Sequence, residues 1–246
     1  VVPVIMLGNF IDFLGGIKVK IFGKVSAVLV SVFCLTARAE PVMTLITVNT
    51  PDPAGYAAWA RSNAEDISKA NGAVAMGLCS PTTGAEQMGD HYLWSFFPSQ
   101  QAVWSSDPMN PTVQKAVASM NVERTVRTWD NWRIVRAAET SEKGYYYNLY
   151  VKTDNPSAYV AALDELHAGM RERGFDVSMQ VFMGDTGATA GMIMTSFGSA
   201  DAAEVGRMLD ARTEDWVAKI VSKLDGKREM VHGFSIICET YYAAAS

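Results

Sequence analysis

The chain has 246 residues, 49% hydrophobic and 19% charged, with 21 Lys+Arg against 26 Asp+Glu for a net charge of −5. Those values describe a globular protein of one large or two small domains and exclude a disordered, fibrous or coiled-coil chain. An acidic balance without long blocks of like charge offers no surface to nucleic acid or an anionic membrane, and three His with three Cys leave little material for a metal cluster.

Lys18, Lys20 and Lys24 precede an apolar run from Val25 to Leu35, and Ala37-Arg38-Ala39 follows. A basic stretch, a short apolar run and an A-x-A triplet are the three parts of a secretory signal. Residues 1–39 are therefore expected to be upstream sequence and leader, with the true start near Val19 and cleavage after Ala39. The run is too short to span a bilayer comfortably, and Phe33 before Cys34 is too bulky for a lipoprotein cleavage site. The expected location is exported, periplasmic in a Gram-negative host, with no membrane association after cleavage. Cleavage removes Lys18, Lys20, Lys24 and Arg38 against the single anion Asp12, so the remaining chain is more acidic.

From residue 40 the chain repeats itself. An apolar run, Met43 to Val48 or Tyr145 to Val151, leads into Asp52-Pro53-Ala54-Gly55-Tyr56 in the first half and Asn155-Pro156-Ser157-Ala158-Tyr159 in the second. Each has an N-cap residue, Pro at the first helical position and Tyr three residues later, and the two copies stand 103 residues apart. Apolar stripes at Tyr56, Trp59, Ala60, Ala64, Ile67 and at Tyr159, Leu163, Leu166, Met170 predict one helix in each half, with stops at Asn71-Gly72 and Gly174. A strand follows, Ala73 to Cys79 or Val177 to Met183, and then a Thr-Gly-Ala loop at Thr83 or Thr186. A third strand ends at Phe97-Pro98-Ser99 and at Phe197-Gly198-Ser199, where the serines are N-cap candidates for a second helix. In the second half that helix is expected to run from Ala200 towards Leu224. In the first, Asp107-Pro108 and Asn110-Pro111 must break it in two. A last strand closes each half, near Val126 to Val135 and Met230 to Cys238.

Each half thus reads strand-helix-strand-strand-helix-strand, the ferredoxin-like order. The expected domains are a first repeat at 40–136, a linker at 137–144 and a second repeat at 145–246. Helices on one face of such a sheet leave the other face to be covered, and two copies can cover each other. The fold class is therefore α+β: two tandem ferredoxin-like βαββαβ repeats packed sheet to sheet as an intramolecular α/β barrel. This arrangement resembles the dimeric α/β-barrel superfamily, in which two such units enclose a cavity. The resemblance is one of element order and covers nearly all of residues 40–246. It implies a range of roles: cofactor-independent monooxygenases of the antibiotic-biosynthesis type, haem enzymes such as chlorite dismutases, lyases, and exported proteins without an assigned role. Fold alone does not choose among them.

Strand alternation places Ile46, Val48, Leu149 and Val151 towards the helices. It places Met43, Leu45, Thr47, Asn49, Tyr146, Asn148, Tyr150 and Lys152 on the inner face. A mostly apolar wall with a few hydroxyl and amide groups suits a small, largely apolar ligand; side chains that simply fill a small barrel are the alternative. Tyr146, Asn148, Tyr150, His91 and Trp129 are the candidate ligand-binding residues. His91, opening a strand beside Asp90, and His232, in the last strand, are the candidate acid–base groups. His167, on the second-half helix, would be the haem ligand of a chlorite-dismutase-like site, but no motif surrounds it, and a solvated or half-buried helical histidine is the favoured reading. No HxH, HExxH or CxxC pattern, G-x-S-x-G, Walker loop or dinucleotide fingerprint occurs, so neither metal nor cofactor is expected. Asp185-Thr186-Gly187 reads as a turn, and Asp130 with Arg133 as a surface ion pair.

Cys79 and Cys238 are either bridged across the two halves or a pair of buried thiols. Three functional readings follow. The first is an exported protein binding a small, largely apolar molecule. The second is a cofactor-independent monooxygenase or isomerase using His91 or His232. The third is a non-catalytic structural or interaction module pairing through exposed strand edges. Homo-oligomers are compatible with all three, and no nucleic-acid partner is expected.

Overall fold

A sheet with helices on one face only cannot leave its other apolar face in water, and this chain solves the problem by closing two sheets on each other. The computed structural model describes residues 39–139 and 141–245; the expected leader, its Val19 start and Cys34 lie outside the described residues. The first half comprises β1 (Val42–Asn49), α1 (Pro53–Asn71), β2 (Ala75–Thr83), β3 (Asp90–Phe97), α2 (Gln100–Trp104), α3 (Pro111–Ala118) and β4 (Thr125–Arg136). The second comprises β5 (Lys143–Lys152), α4 (Pro156–Glu172), β6 (Ser178–Gly184), β7 (Ile193–Ser199), α5 (Ala202–Asp210), α6 (Asp215–Val221) and β8 (Glu229–Ala243). The eight strands form a closed barrel in the order β1-β3-β2-β8-β5-β7-β6-β4, every neighbour antiparallel. The halves meet at two seams, β2 with β8 and β4 with β6. This is the α+β barrel of two ferredoxin-like repeats that the element order implies.

The helix starts follow the local chemistry of the sequence. Asp52 accepts from the Gly55 N–H and Asn155 from the Ala158 N–H, each followed by Pro at the first helical position. Gly72, at φ 76°, ends α1 in the left-handed conformation that glycine adopts without a Cβ clash. Ser99 caps α2, accepting from the Ala102 N–H. In the second half Asp201 caps α5 instead of Ser199, whose hydroxyl accepts from the Asp201 N–H.

The long helix expected over Ala200–Leu224 is overturned. A 3-10 turn at Ala211–Thr213 and an extended Glu214 (ψ 143°) separate α5 from α6, and a second 3-10 turn covers Ser222–Leu224. The break lets Trp216 turn onto α4, where its ring packs over Gly169 and the Arg173 guanidinium stacks on it at 4.3 Å. The first-half break falls where Asp107-Pro108 and Asn110-Pro111 demand it.

Side chains sort by strand parity into an inner and an outer core. Met43, Tyr92, Trp94, Trp132, Tyr150, Phe182, Met194, Phe234 and Ile236 fill the barrel. Val48, Met76, Leu78 and Leu93 meet α1 outside it, and Val151, Val181, Ile193 and Phe197 meet α4 to α6. Cys79 and Cys238 face each other across the β2–β8 seam and are joined as a disulfide. Closure leaves no free sheet edge among the described residues, so pairing through exposed strand edges is overturned as well.

Peptide mapping under non-reducing conditions is expected to recover Cys79 and Cys238 as one cross-linked pair. Because 159 residues separate them, the bridge should contribute about 3–5 kcal/mol through the unfolded chain, and the double variant C79A/C238A should unfold at a markedly lower urea midpoint. Two freely alkylatable thiols at these positions would remove the staple from this account.

Candidate functional site

The barrel interior is the place the sequence nominates, and the structure fills most of it. Tyr146 and Asn148 line a pocket of about 70 Å³ with Leu45, Trp94, Phe182 and Ser196. Gly198 makes room for Tyr146: a Cβ there would stand 2.1 Å from the ring carbon Cδ1, so the ring lies flat on bare backbone. The Asn148 Oδ1 is buried without a hydrogen-bond partner. A volume of 70 Å³ admits a few waters or a molecule of a few atoms, well short of the several hundred Å³ usual for a ligand site.

Tyr150 also points inward, but as packing. It stacks on Trp132 at 5.5 Å between centroids and meets Phe234 edge-on at 5.3 Å. Burial pushes its phenol far above the usual range, and the neighbouring Tyr92, Glu86 and Asp130 push the same way. Tyr92 rises to about 12, chiefly through burial and then through Asp90 and Glu86, with Arg127 opposing. Asp130, expected on the surface with Arg133, instead faces inward and is 7% exposed. Burial raises its carboxyl while the Thr128 hydroxyl lowers it. Arg133 pairs with Asp185 at 2.7 Å.

Two nominated residues lie on the wrong face. His91 shares the parity of Val48 and Leu93, outside the barrel. Its Nδ1 hydrogen-bonds with the Ser80 hydroxyl at 3.0 Å. Burial lowers its pKa, with Asp90 opposing. Trp129 stands beside Ile46 on the outer face and is 56% exposed. His232 does point inward, stacked on Phe234 at 5.3 Å and 6.1 Å from the Tyr150 ring, with its Nε2 buried and unpartnered.

Two larger spaces lie between the sheets and the helices. In the second half a cavity of about 560 Å³ opens between α4, α5, α6 and the outer face of β5 and β7. Leu163, Met170, Phe197, Met208 and Val217 make its wall, and Arg212 and Arg228 also line it. Tyr159, 1% exposed, lines it with a hydroxyl that has no partner. The first half carries a smaller recess of about 340 Å³ under α1, α2 and α3. Tyr56, the repeat counterpart of Tyr159, lines it. Strand parity alone points to neither space; the paired tyrosines, one turn into each first helix, are the signal that could have found both.

A haem, which the resemblance to chlorite dismutases would imply, does not fit these residues. None of the three histidines lines either large cavity, the His167 Nε2 is bonded to the Val177 carbonyl oxygen at 2.9 Å, and the barrel pocket is far too small for a porphyrin. No group of three or more His, Cys, Asp or Glu suited to a metal ion occurs among the described residues. Nor is any helix among them long and apolar enough to cross a membrane.

No family model matches the sequence, and no curated protein matches it. Solved structures do match. A candidate monooxygenase from Lactobacillus acidophilus NCFM superposes with a TM-score of 0.55 at 10% identity, over 84% of this chain and 96% of that one. A variant of the chlorite dismutase from Candidatus Nitrospira defluvii gives 0.53 at 10% identity, over 82% and 92%. A candidate monooxygenase from Fusobacterium nucleatum gives 0.50 at 11% identity, over 82% and 93%. At such identities the likeness is one of fold, and the fold is that of the dimeric α/β-barrel proteins, here with both ferredoxin-like units in a single polypeptide.

Proposed function

We propose that this chain is an exported protein that binds a small, largely apolar molecule, held in the second-half cavity and not in the barrel interior. The observation that carries this reading is the Tyr159 hydroxyl, buried and unpartnered in the wall of an apolar space of about 560 Å³. That volume is in the range of small-molecule sites. An unmade hydrogen bond at a buried hydroxyl costs about 1–3 kcal/mol, and a ligand carrying one polar atom on an apolar body recovers it. Arg212 and Arg228 outnumber Asp225 in the lining, which favours a ligand whose outer end is anionic. The disulfide supports export, since such bridges persist in oxidising compartments, and it agrees with the leader expected over residues 1–39. Copies that associate would do so through helices or exposed aromatic faces, because the barrel offers no strand edge.

A second reading is a cofactor-independent monooxygenase or isomerase acting on a molecule of a few atoms inside the barrel, the side to which His232 points. Its support is the fold shared with the candidate monooxygenases of Lactobacillus acidophilus and Fusobacterium nucleatum. His232, with its buried and unpartnered Nε2, is the acid–base group this reading would use.

Native mass spectrometry of the protein from its own source, together with titration by 1-anilinonaphthalene-8-sulfonate as an anionic apolar probe, tests the binding reading. Ala218 lies exposed at the cavity edge, so A218W should close the space without touching the core and reduce probe binding at least tenfold. Y159F should weaken probe or ligand by about tenfold, the equivalent of one hydrogen bond. The same change should raise the melting temperature of the ligand-free protein by a few degrees, because it deletes an orphaned hydroxyl. A protein that retains no small molecule, and whose probe binding ignores A218W, would overturn the reading. Oxygen uptake or isomerisation lost in H232A, with binding intact, would move the assignment to the enzyme.

A further inference from the structure

The first-half recess has features that neither the barrel nor the second-half cavity shares. Its origin is the proline pair. Asp107-Pro108 and Asn110-Pro111 cut what would be one long helix into α2 and α3, of five and eight residues, and two short helices leave part of the sheet's outer face uncovered. The resulting space of about 340 Å³ reaches down to Ile46, Val48 and Leu93 on the sheet.

Its mouth is aromatic. Trp104, the last residue of α2, is 76% exposed, and Trp129, on the outer face of β4, is 56% exposed; both line the recess. Val126 beside them is also largely exposed. A tryptophan buries more apolar area than any other residue when it packs, so two of them left in water at the rim of one apolar space mark a surface built to be covered.

Asn71, at the C-terminal end of α1, also lines the recess, and its Oδ1 is buried without a partner. Two donors elsewhere in the lining are occupied: the Trp59 Nε1–H donates to the Ala116 carbonyl at 2.8 Å, and the Arg124 guanidinium stacks over the Trp59 ring at 5.9 Å and contacts the Met120 sulfur. The missing partner of an amide oxygen is a hydrogen-bond donor.

We propose that this recess is a second binding site, for a planar aromatic molecule of one or two fused rings carrying one hydrogen-bond donor, of the phenol or indole class. The ring lies against the exposed indoles of Trp104 and Trp129, where offset or edge-on contact is favourable, and its O–H or N–H donates to Asn71 Oδ1. An apolar wall with a single orphaned acceptor selects against sugars, which bring many hydroxyls that would go unpaired there. The site is independent of the second-half cavity.

Isothermal titration calorimetry of the full chain with 2-naphthol, with naphthalene as the analogue lacking the donor and maltotriose as the sugar, tests it. The expected result is saturable binding of 2-naphthol, at least tenfold weaker binding of naphthalene, and no heat with maltotriose. W104A and W129A alter exposed side chains, so the fold should persist, and each should weaken 2-naphthol about tenfold. N71L should erase the preference for 2-naphthol over naphthalene, which a merely structural role for Asn71 would not do. A218W, which closes the other cavity, should leave 2-naphthol binding unchanged. Absence of 2-naphthol binding, binding indifferent to both tryptophan variants, a preference that survives N71L, binding lost in A218W, or binding of maltotriose in its place would each overturn the proposal.

Discussion

The structure depends on one constraint: each four-stranded sheet has helices on one face only, and its other apolar face must be kept from water. The chain meets it by pairing β2 with β8 and β4 with β6, so that the inner faces become one barrel lumen. Closure serves the backbone, since it leaves no free sheet edge among the described residues. It is demanding for the side chains, since the lumen must be filled from both halves at once. Trp94, Trp132, Tyr92, Tyr150 and Phe234 do that filling, and the Cys79–Cys238 bridge fixes the register of one seam.

Filling the lumen decides where a ligand can go. Eight strands enclose a space just wide enough for side chains, and here the aromatic rings reduce it to about 70 Å³. The free volume is displaced to the outer layers, where each sheet is covered by helices that do not fully tile it. In both halves the second helix is interrupted, at Asp107–Asn110 and again at Ala211–Glu214, and in both halves a cavity lies beneath the interruption. The cavities are thus consequences of helix breaks, and the breaks are local choices of sequence.

The division between what could be read in advance and what could not follows the range of the physics involved. The caps at Asp52-Pro53 and Asn155-Pro156 act over three residues and are visible in the chain, as is the 103-residue repeat that gives the fold. Strand parity acts over two residues, and it placed Tyr146, Asn148 and Tyr150 inward. Applied to β3 it also turns His91 outward, since Tyr92, Trp94 and Phe96 form the inward set; the histidine stands out by its chemistry and not by its parity. Trp129 fails for the same reason, lying one residue out of phase with Asp130 and Trp132. The break at Glu214 carries no proline and could not be read. Nor could the orphaned oxygens of Tyr159 and Asn71, because a missing partner depends on every side chain within reach.

The two halves are copies, and their differences are therefore informative. Tyr56 and Tyr159 occupy the same place in the repeat and each lines its own cavity, so the layout of a tyrosine beneath a broken helix belongs to the unit. What surrounds them has diverged. Around Tyr159 the wall joins aliphatic and thioether groups to Phe197 and Tyr147, with two arginines in the lining; around Tyr56 the recess carries two exposed tryptophans and the unpartnered acceptor is an amide. A barrel needs only that the inner faces match each other, and that requirement holds Trp132, Tyr150 and Phe234 together across the halves. On the outer faces β8 packs against α1, but each cavity is lined by its own half alone. Each half was free to shape its own cavity once closure had been secured, which is why one fold can present two chemically different pockets in a single chain.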